Sequence, residues 1–189
     1  MTRVVLSIGS NLGDRLARLQ SVVDGLGGSV VAVSPVYETE PWGRGEQAQF
    51  LNAVLIADDP ARDEQAWLLR AQEFEREAGR VRGERWGPRT LDVDLIACRG
   101  ETEIITREPN LTLPHPLAHM RAFVMVPWLA IDPDARLTVA EGSRPVSRLL
   151  AELEPRDREG VRLTGLRLRL NANPPGERGN SKADPESET

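Results

Sequence analysis

Two aspartates near the middle of the chain have a spacing that suits metal binding. Asp92 and Asp94 lie two residues apart in a largely apolar stretch, Thr90 to Ala97, that predicts a β-strand. Alternate side chains of a strand share a face, so both carboxylates should point the same way while their neighbours point into the core. Adjacent carboxylates repel each other unless a cation lies between them, and Mg²⁺ prefers such hard oxygen ligands. The alternative is a solvated strand face with two surface aspartates.

An arginine-rich stretch comes just before these aspartates. Between Arg80 and Arg89 there are four arginines and one acid, Glu84, in a chain whose formal net charge is −5. A basic stretch in an acidic protein indicates a local anionic ligand rather than a long polyanion. Carboxylate-bound metal and arginine together are the recurring components of phosphoryl transfer. Trp86 lies among these arginines, and either a core anchor or a stacking platform for a base would explain it.

Other polar and aromatic residues are weaker candidates for ligand contacts. Gln72 and Glu75 share one side of a predicted helix, as ligand contacts or as a solvated face. His115 stands between two prolines, as a structural hydrogen-bonding residue or as a ligand contact. Phe50 and Asn52 alternate on a predicted strand, and an aromatic ring beside an amide could cradle a flat heterocycle with polar edges. A phenylalanine on a strand is, however, more commonly a core residue.

The elements that must position these residues follow the order β-α-β-β-α-β. Apolar periodicity predicts strands over Arg3–Ile8, Ser29–Tyr37, Gln49–Ala57 and Thr90–Ala97, and helices over Leu12–Leu26 and Asp63–Gly79. This order predicts an α+β, ferredoxin-like fold, an antiparallel sheet with helices on one face. Val161–Leu170 predicts a further, exposed strand. We expect one domain over residues 1–170, and a disordered tail over 171–189, which is composed mainly of polar residues, proline and glycine.

Composition excludes several classes of function. The single cysteine, Cys98, allows no intrachain disulfide, which suits a cytoplasmic protein. The N-terminal apolar run is too short for a signal peptide or a membrane span, and the negative net charge argues against a general nucleic-acid binder. There is no GxxxxGK[ST] motif, and Lys182 is the only lysine, so phosphate binding must depend on arginine and metal. We expect a cytoplasmic monomer that binds neither nucleic acid nor membrane.

Six motifs together resemble those of the 6-hydroxymethyl-7,8-dihydropterin pyrophosphokinases of folate biosynthesis. The resemblance covers the chain from about Val4 to Pro133 and keeps the order of the family's motifs. The motifs are Ile8-Gly9-Ser10-Asn11-Leu12-Gly13, Tyr37-Glu38-Thr39, Phe50-Leu51-Asn52, Gly79-Arg80-Val81-Arg82, Arg85-Trp86-Gly87-Pro88-Arg89-Thr90-Leu91-Asp92-Val93-Asp94 and Pro114-His115. The long arginine-to-aspartate motif is the most specific of the six.

The resemblance implies that ATP gives its β,γ-diphosphate to the hydroxymethyl group of a reduced pterin, leaving AMP. It implies catalytic roles, with two Mg²⁺ ions on the aspartates, for Arg80, Arg82, Arg89, Asp92 and Asp94. It implies ATP contacts for Gln72, Glu75, Trp86, Thr112, His115 and Arg121. It implies pterin contacts for Thr39, Glu40, Trp42, Phe50, Asn52 and Phe123, with the ring between the two phenylalanines. Some members of the family carry an arginine at the position of Asn110, and Arg107 is a candidate to replace its phosphate contact.

Two other functions fit part of the pattern. A non-catalytic ferredoxin-like module could grip a nucleotide or RNA with its arginines and Trp86, but Asp92 and Asp94 would repel a phosphate backbone unless a metal intervened. Another Mg²⁺-dependent phosphotransferase would use the same arginines and aspartates on a different acceptor. Only the pterin-side residues separate that enzyme from a pyrophosphokinase.

Overall fold

The computed structural model of the chain describes residues 2–40, 48–79 and 90–170. The elements of its main sheet and first helical layer are β1 (Thr2–Ser10), α1 (Arg15–Leu26), β2 (Val30–Val33), β3 (Tyr37–Thr39), β4 (Phe50–Asp59), α2 (Glu64–Glu77) and β5 (Asp92–Arg99). The elements that follow are β6 (Thr106–Arg107), β7 (Thr112–Leu113), α3 (Ala122–Ile131), β8 (Arg136–Val139), β9 (Gly142–Pro145), α4 (Val146–Ala151), α5 (Pro155–Glu159) and β10 (Arg162–Leu163). Short 3-10 helices span Gly27–Ser29 and Ala118–Met120.

The main sheet has the strand order β10-β3-β4-β1-β5, and β2 pairs with β4 beside β3. All of its pairings are antiparallel. Strand β1 therefore lies between the two strands that carry the candidate residues, β4 and β5. The sheet and the two helices that connect its strands confirm the predicted α+β, ferredoxin-like fold.

Helices cover both faces of this sheet. On one face, α1 and α2 pack through residues such as Leu19, Trp67 and Phe74. On the other, α3 and α4 pack against a second core that includes Met125 and Trp128. The expectation of helices on one face only was therefore wrong. The continuous burial along β1 has the same cause, because a strand covered on both faces is apolar throughout rather than alternating.

Three segments differ from the sequence-based prediction. The predicted strand Ser29–Tyr37 is two strands, because Pro35 has no N–H for the ladder and the Ser34 hydroxyl, in place of a backbone carbonyl, accepts a hydrogen bond from the Val54 N–H at 2.9 Å. Only Arg162–Leu163 of the predicted strand Val161–Leu170 is a strand. The hairpin of β8 and β9 was not predicted, since both strands have only four residues and β9 contains no large apolar residue.

The two helices of the first layer begin at aspartate caps. The Asp14 carboxylate accepts from the Ala17 N–H at 3.0 Å, and the Asp63 carboxylate accepts from the Ala66 N–H at 2.8 Å. Such caps satisfy backbone donors of the first turn and fix where a helix starts. They thereby set which residues of α1 and α2 reach the edges of the sheet. In the described ranges, the helices are too short or too polar to cross a lipid bilayer.

Candidate active site

The candidate residues on β4 and β5 meet across a single glycine of β1. Gly9 pairs with Asn52 of β4 on one side and with Asp92 of β5 on the other. Directly opposed residues of antiparallel strands project from the same face. A β-carbon on Gly9 would lie 2.8 Å from Asn52 Oδ1 and 3.6 Å from the Phe50 ring. Gly9 therefore lets the Asn52 amide lie close against β1, and no side chain of β1 at this position separates Asn52 from Asp92.

The two aspartates lie on the same face of the sheet as Gly9 and Asn52. Asp92 and Asp94 are partly exposed, whereas Val93 between them is buried in the core of the α1/α2 face. The Glu75 carboxylate of α2 accepts a hydrogen bond from the Val93 N–H at 3.0 Å. Glu75 thus holds the backbone of β5 at the residue that separates the aspartates. This contact gives Glu75 a structural task at the site in addition to the ATP contact that the sequence implies.

Arg121 lies at the start of α3 and faces the aspartates. Its Nη1 is 3.4 Å from the Asp94 Oδ2, and its guanidinium carbon lies 5.6 Å from the centre of the Phe123 ring. Its Nε is buried and has no hydrogen-bond acceptor among the described residues. A buried donor without an acceptor costs free energy unless a ligand or water satisfies it. An anionic ligand at this position would supply the acceptor.

Backbone hydrogen bonds hold His115 and its ring in place. The backbone N–H of His115 donates to the Ile96 carbonyl at 2.8 Å, and the ring Nδ1 accepts from the Leu117 N–H at 3.1 Å. Burial lowers the pKa of His115, the nearby Asp94 opposes that effect, and Arg121 adds to it. Because Nδ1 accepts, the neutral ring carries its proton on Nε2. His115 can therefore donate from Nε2 to an oxygen of a ligand.

A groove of about 690 Å³ opens beside His115. Thr112 lines it together with His115, and Arg107 lies on the same wall, where its Nη1 donates to the Leu113 carbonyl at 3.3 Å. The opposite wall comes from the β8–β9 hairpin and α4. The volume falls in the range of pockets for small organic ligands. The groove and Arg107 are both suitably placed for an anionic ligand that also contacts His115.

The other half of the site is a buried polar pair beside an aromatic ring. Asn52 is 4% exposed and Thr39 is 6% exposed, and Asn52 Nδ2 donates to Thr39 Oγ1 at 2.7 Å. Phe50 pairs with Thr39 and is only partly buried, so part of its ring is accessible. With Nδ2 engaged, Asn52 presents its Oδ1 beside Gly9 as an acceptor. Glu40 is exposed at the edge of this region and accepts from Gln49 Nε2 at 2.6 Å.

Some of the sequence-predicted residues are not brought together in this way. Gln72 is partly exposed on α2, in the helical layer on the opposite face of the sheet. Five predicted residues lie outside the described ranges, namely Trp42, Arg80, Arg82, Trp86 and Arg89. Sequence reasoning gave no role to Gly9, although it stands in the motif Ile8–Gly13. A glycine inside a strand is the signal that could have found it, since such glycines mark close approach of a ligand or backbone.

The chain was compared with known proteins. The model of the family "7,8-dihydro-6-hydroxymethylpterin-pyrophosphokinase (HPPK)" matches residues 5–133. Two relatives carry the name 2-amino-4-hydroxy-6-hydroxymethyldihydropteridine pyrophosphokinase. The protein of Mycobacterium leprae is 67% identical over 191 residues, covering 97% of this chain and 100% of the relative. That of Mycobacterium tuberculosis H37Rv is 66% identical over 181 residues, covering 93% and 96% respectively.

Solved structures share the fold at much lower identity. The wild-type Plasmodium falciparum HPPK-DHPS structure with pteroate aligns with a TM-score of 0.57 at 12% identity, over 80% of this chain and 44% of that chain. The chain thus spans less than half of that longer protein, and the likeness concerns the fold alone. The family match and the mycobacterial relatives decide the assignment, and the chain belongs to the 7,8-dihydro-6-hydroxymethylpterin-pyrophosphokinase family.

Proposed function

We propose that this chain transfers the β,γ-diphosphate of ATP to the hydroxymethyl group of 6-hydroxymethyl-7,8-dihydropterin, giving AMP and the pterin diphosphate for folate biosynthesis. One observation carries the proposal. Asn52 and Asp92 flank Gly9 on one face of the sheet. The Phe50/Asn52 pair, which would bind the pterin, therefore adjoins the carboxylates of β5 without an intervening side chain. The names of the mycobacterial relatives state the same reaction class.

The spacing of the strands suits the size of the acceptor. Asn52 and Asp92 are two strand positions apart, which corresponds to roughly 10 Å between their α-carbons. A bicyclic pterin stacked beside Phe50, with its polar edge at Asn52, would extend toward β5. Its hydroxymethyl group would then lie over Gly9, near the carboxylates. Thr39, Glu40, Trp42 and Phe123 are the further pterin contacts in the proposal.

The donor set on β5 suits magnesium. Asp92 and Asp94 offer hard oxygen ligands, and within the described residues they belong to no group of three or more metal-binding side chains. Mg²⁺ is commonly held by one or two carboxylates and completes its shell with substrate phosphates and water. We propose that the two carboxylates hold two Mg²⁺ ions with ATP. Bound there, the metal would neutralise the charge of the polyphosphate and lower the pKa of the attacking hydroxyl.

The reaction itself requires positioning and charge stabilisation. The hydroxyl oxygen of the pterin bonds to the β-phosphorus of ATP, the bond from that phosphorus to the α,β-bridging oxygen breaks, and the hydroxyl proton is released. His115 Nε2–H and Arg121 would donate to phosphate oxygens, because both groups lie beside Asp94 on the α3 side of the sheet. Thr112 would contact ATP from the same groove. Gln72, Glu75, Trp86, Arg80, Arg82 and Arg89 complete the proposed contacts with ATP and with the transferred group.

The remaining parts of the proposal concern organisation in the cell. We propose one domain over residues 1–170, since β10 and the N-terminal strand β1 belong to the same sheet. We also propose a cytoplasmic location, which the single, buried cysteine, Cys98, supports because it can form no intrachain disulfide, and we propose that the protein is a monomer. Size-exclusion chromatography with light scattering would measure the monomer directly.

The experiment that tests the function is AMP release from ATP and Mg²⁺, with and without the pterin. AMP that appears only with the pterin supports the reaction. Asp92→Ala and Asp94→Ala should each abolish turnover while folding changes little, since both side chains are partly exposed. Asp134→Ala, at an exposed position near the end of α3, is the matched control and should turn over normally. ATP binding without AMP release would refute the proposed acceptor, and normal turnover by both site variants would refute the metal site.

A further inference from the structure

An arginine on the opposite face of the sheet, Arg15, contacts the neighbours of the residues that would bind the pterin. Arg15 is the first residue of α1, directly after the Asp14 cap. Its Nη1 donates to the Gln49 carbonyl at 2.7 Å and lies 3.3 Å from the Glu38 carboxylate. The side chains of Arg15 and Glu38 are only 31% and 28% exposed. These contacts are therefore partly shielded from solvent and stronger than those of a typical surface ion pair.

The two groups that Arg15 joins are the immediate neighbours of the pterin-side residues. Glu38 precedes Thr39 on β3, and Gln49 precedes Phe50 on β4. Thr39 and Phe50 pair directly with each other in the sheet. Arg15 thus joins the Glu38 side chain of β3 to the backbone just before β4, one residue before each member of the pair that would hold the ring. Since strand side chains alternate, Arg15 reaches these residues from the face opposite to Thr39 and Phe50.

Further polar contacts extend this connection to β10. The Arg162 guanidinium lies 3.7 Å from Glu38 and 3.5 Å from Glu40, and Gln49 Nε2 donates to Glu40 at 2.6 Å. Glu38 therefore lies between two arginines, one from α1 and one from β10. The Thr39/Phe50 end of the ladder between β3 and β4 is thus held by α1 and β10, which would not themselves touch the pterin. A ladder of three residue pairs has few hydrogen bonds of its own to set its geometry.

We propose that Arg15 is a positioning residue for the pterin half of the site. By fixing the Gln49 carbonyl and the Glu38 carboxylate together, it sets the relative placement of the Phe50 ring, Thr39 and Asn52. The proposal rests on the proposed function, since it assigns Arg15 to one of that reaction's two substrates. ATP would bind on the β5 side of Gly9, and β5 is separated from β4 by β1. The KM for ATP should therefore not depend on Arg15.

The test compares Arg15→Met with the wild-type protein in the AMP-release assay. Loss of a partly buried, charge-assisted hydrogen bond should raise the KM for the pterin roughly three- to tenfold, while the KM for MgATP changes by less than about twofold. Arg15→Lys keeps a cation that can reach one acceptor but lacks the fork of the guanidinium, and it should restore part of the pterin affinity. It also keeps the proposal testable if Arg15→Met folds poorly.

A matched control comes from the same helix. Arg18→Met removes an arginine whose side chain makes no hydrogen bond or ion pair with the described residues, and it should leave both KM values unchanged. Unfolding midpoints are measured for every variant. A lowered midpoint with an unchanged pterin KM, or a parallel rise of both KM values, would overturn the positioning role. Failure of the wild-type protein to form AMP with the pterin would instead count against the proposed function, so the two failures are distinguishable.

Discussion

A methyl group on Gly9 should weaken pterin binding, because it would meet the Asn52 amide. In Gly9→Ala the new carbon would lie 2.8 Å from Asn52 Oδ1, about 0.6 Å inside the 3.4 Å at which ordinary contacts begin. Asn52 is 4% exposed and cannot turn toward solvent. Its amide must therefore rotate, which breaks the 2.7 Å bond to Thr39, or the strands β1 and β4 must separate.

Both responses have a similar free-energy cost. Overpacking of a filled site commonly costs about 1–3 kcal/mol, and disturbing one buried hydrogen bond costs about 1 kcal/mol. A cost of about 1–2 kcal/mol in pterin binding at Phe50 and Asn52 corresponds to a rise in the pterin KM of roughly five- to thirtyfold. Gly9 has no positive φ, so alanine adds no backbone strain and the effect is steric. The KM for MgATP should change much less.

Steady-state kinetics with each substrate varied in turn would measure this effect. Gly165→Ala is the control, because no atom lies within 4 Å of its added carbon. In an Asn52→Ala background, Gly9→Ala should cost little further pterin affinity, since the group it meets is gone. An unchanged pterin KM in the single variant, or full additivity in the double variant, would refute the reasoning.

Three further predictions concern stability and reactivity. Gly25→Ala should lower the free energy of unfolding by about 1–3 kcal/mol, because the new β-carbon would lie 2.4 Å from the Phe74 ring. Denaturant unfolding measures this loss, and an unchanged midpoint would contradict the prediction. Burial raises the pKa of Cys98 to about 12, so the native thiol should resist iodoacetamide at neutral pH and react once the chain unfolds, and rapid native alkylation would oppose this. The Arg3 guanidinium, 2.9 Å away, lowers the pKa of Asp58. The Arg3–Asp58 ion pair should add about 0.5–1 kcal/mol to the free energy of unfolding, a small value because Arg3 is exposed. This contribution should be present above about pH 4 and be lost as the pH falls through the lowered pKa of Asp58. Asp58→Asn should remove that pH dependence from thermal unfolding, and an unaltered profile would disprove the assignment.

The sequence predicted those features that depend on local periodicity. The alternation around Asp92 and Asp94 requires only that the stretch is a strand, and the structure has Val93 buried and both carboxylates partly exposed. The two helices of the first layer likewise followed from apolar spacing. Helices within 118–131 and 145–153 also follow from the sequence, but their placement on the second face of the sheet was not predicted, because the predicted fold pattern ends at the fourth strand, and α3 is apolar on nearly every side and so shows no face.

What the sequence could not predict depends on register. Gly9 lies between Asn52 and Asp92 only because β1 pairs with β4 and β5 at those residues, and a shift of one residue would turn each side chain to the other face. No local pattern sets such a pairing, since it depends on how both cores fill. The contact of Arg15 with Gln49 is of the same kind, because it joins residues 34 positions apart.

Register also explains why one short segment acts on the site from two sides. Gly9 lies near the end of β1 on the face that would bind the substrates. Six residues later, Arg15 begins α1, which packs on the opposite face. The turn between them includes Gly13 at a φ of 72°, a conformation that glycine adopts readily, and it carries the chain from one face of the sheet to the other. The sequence from Gly9 to Arg15 therefore combines an absent side chain, which lets the Asn52 amide lie against β1, with a long charged one, which joins Glu38 to Gln49. In the proposed reaction the pterin half would depend on residues that need not touch the pterin, whereas the carboxylates of β5 would act on ATP directly.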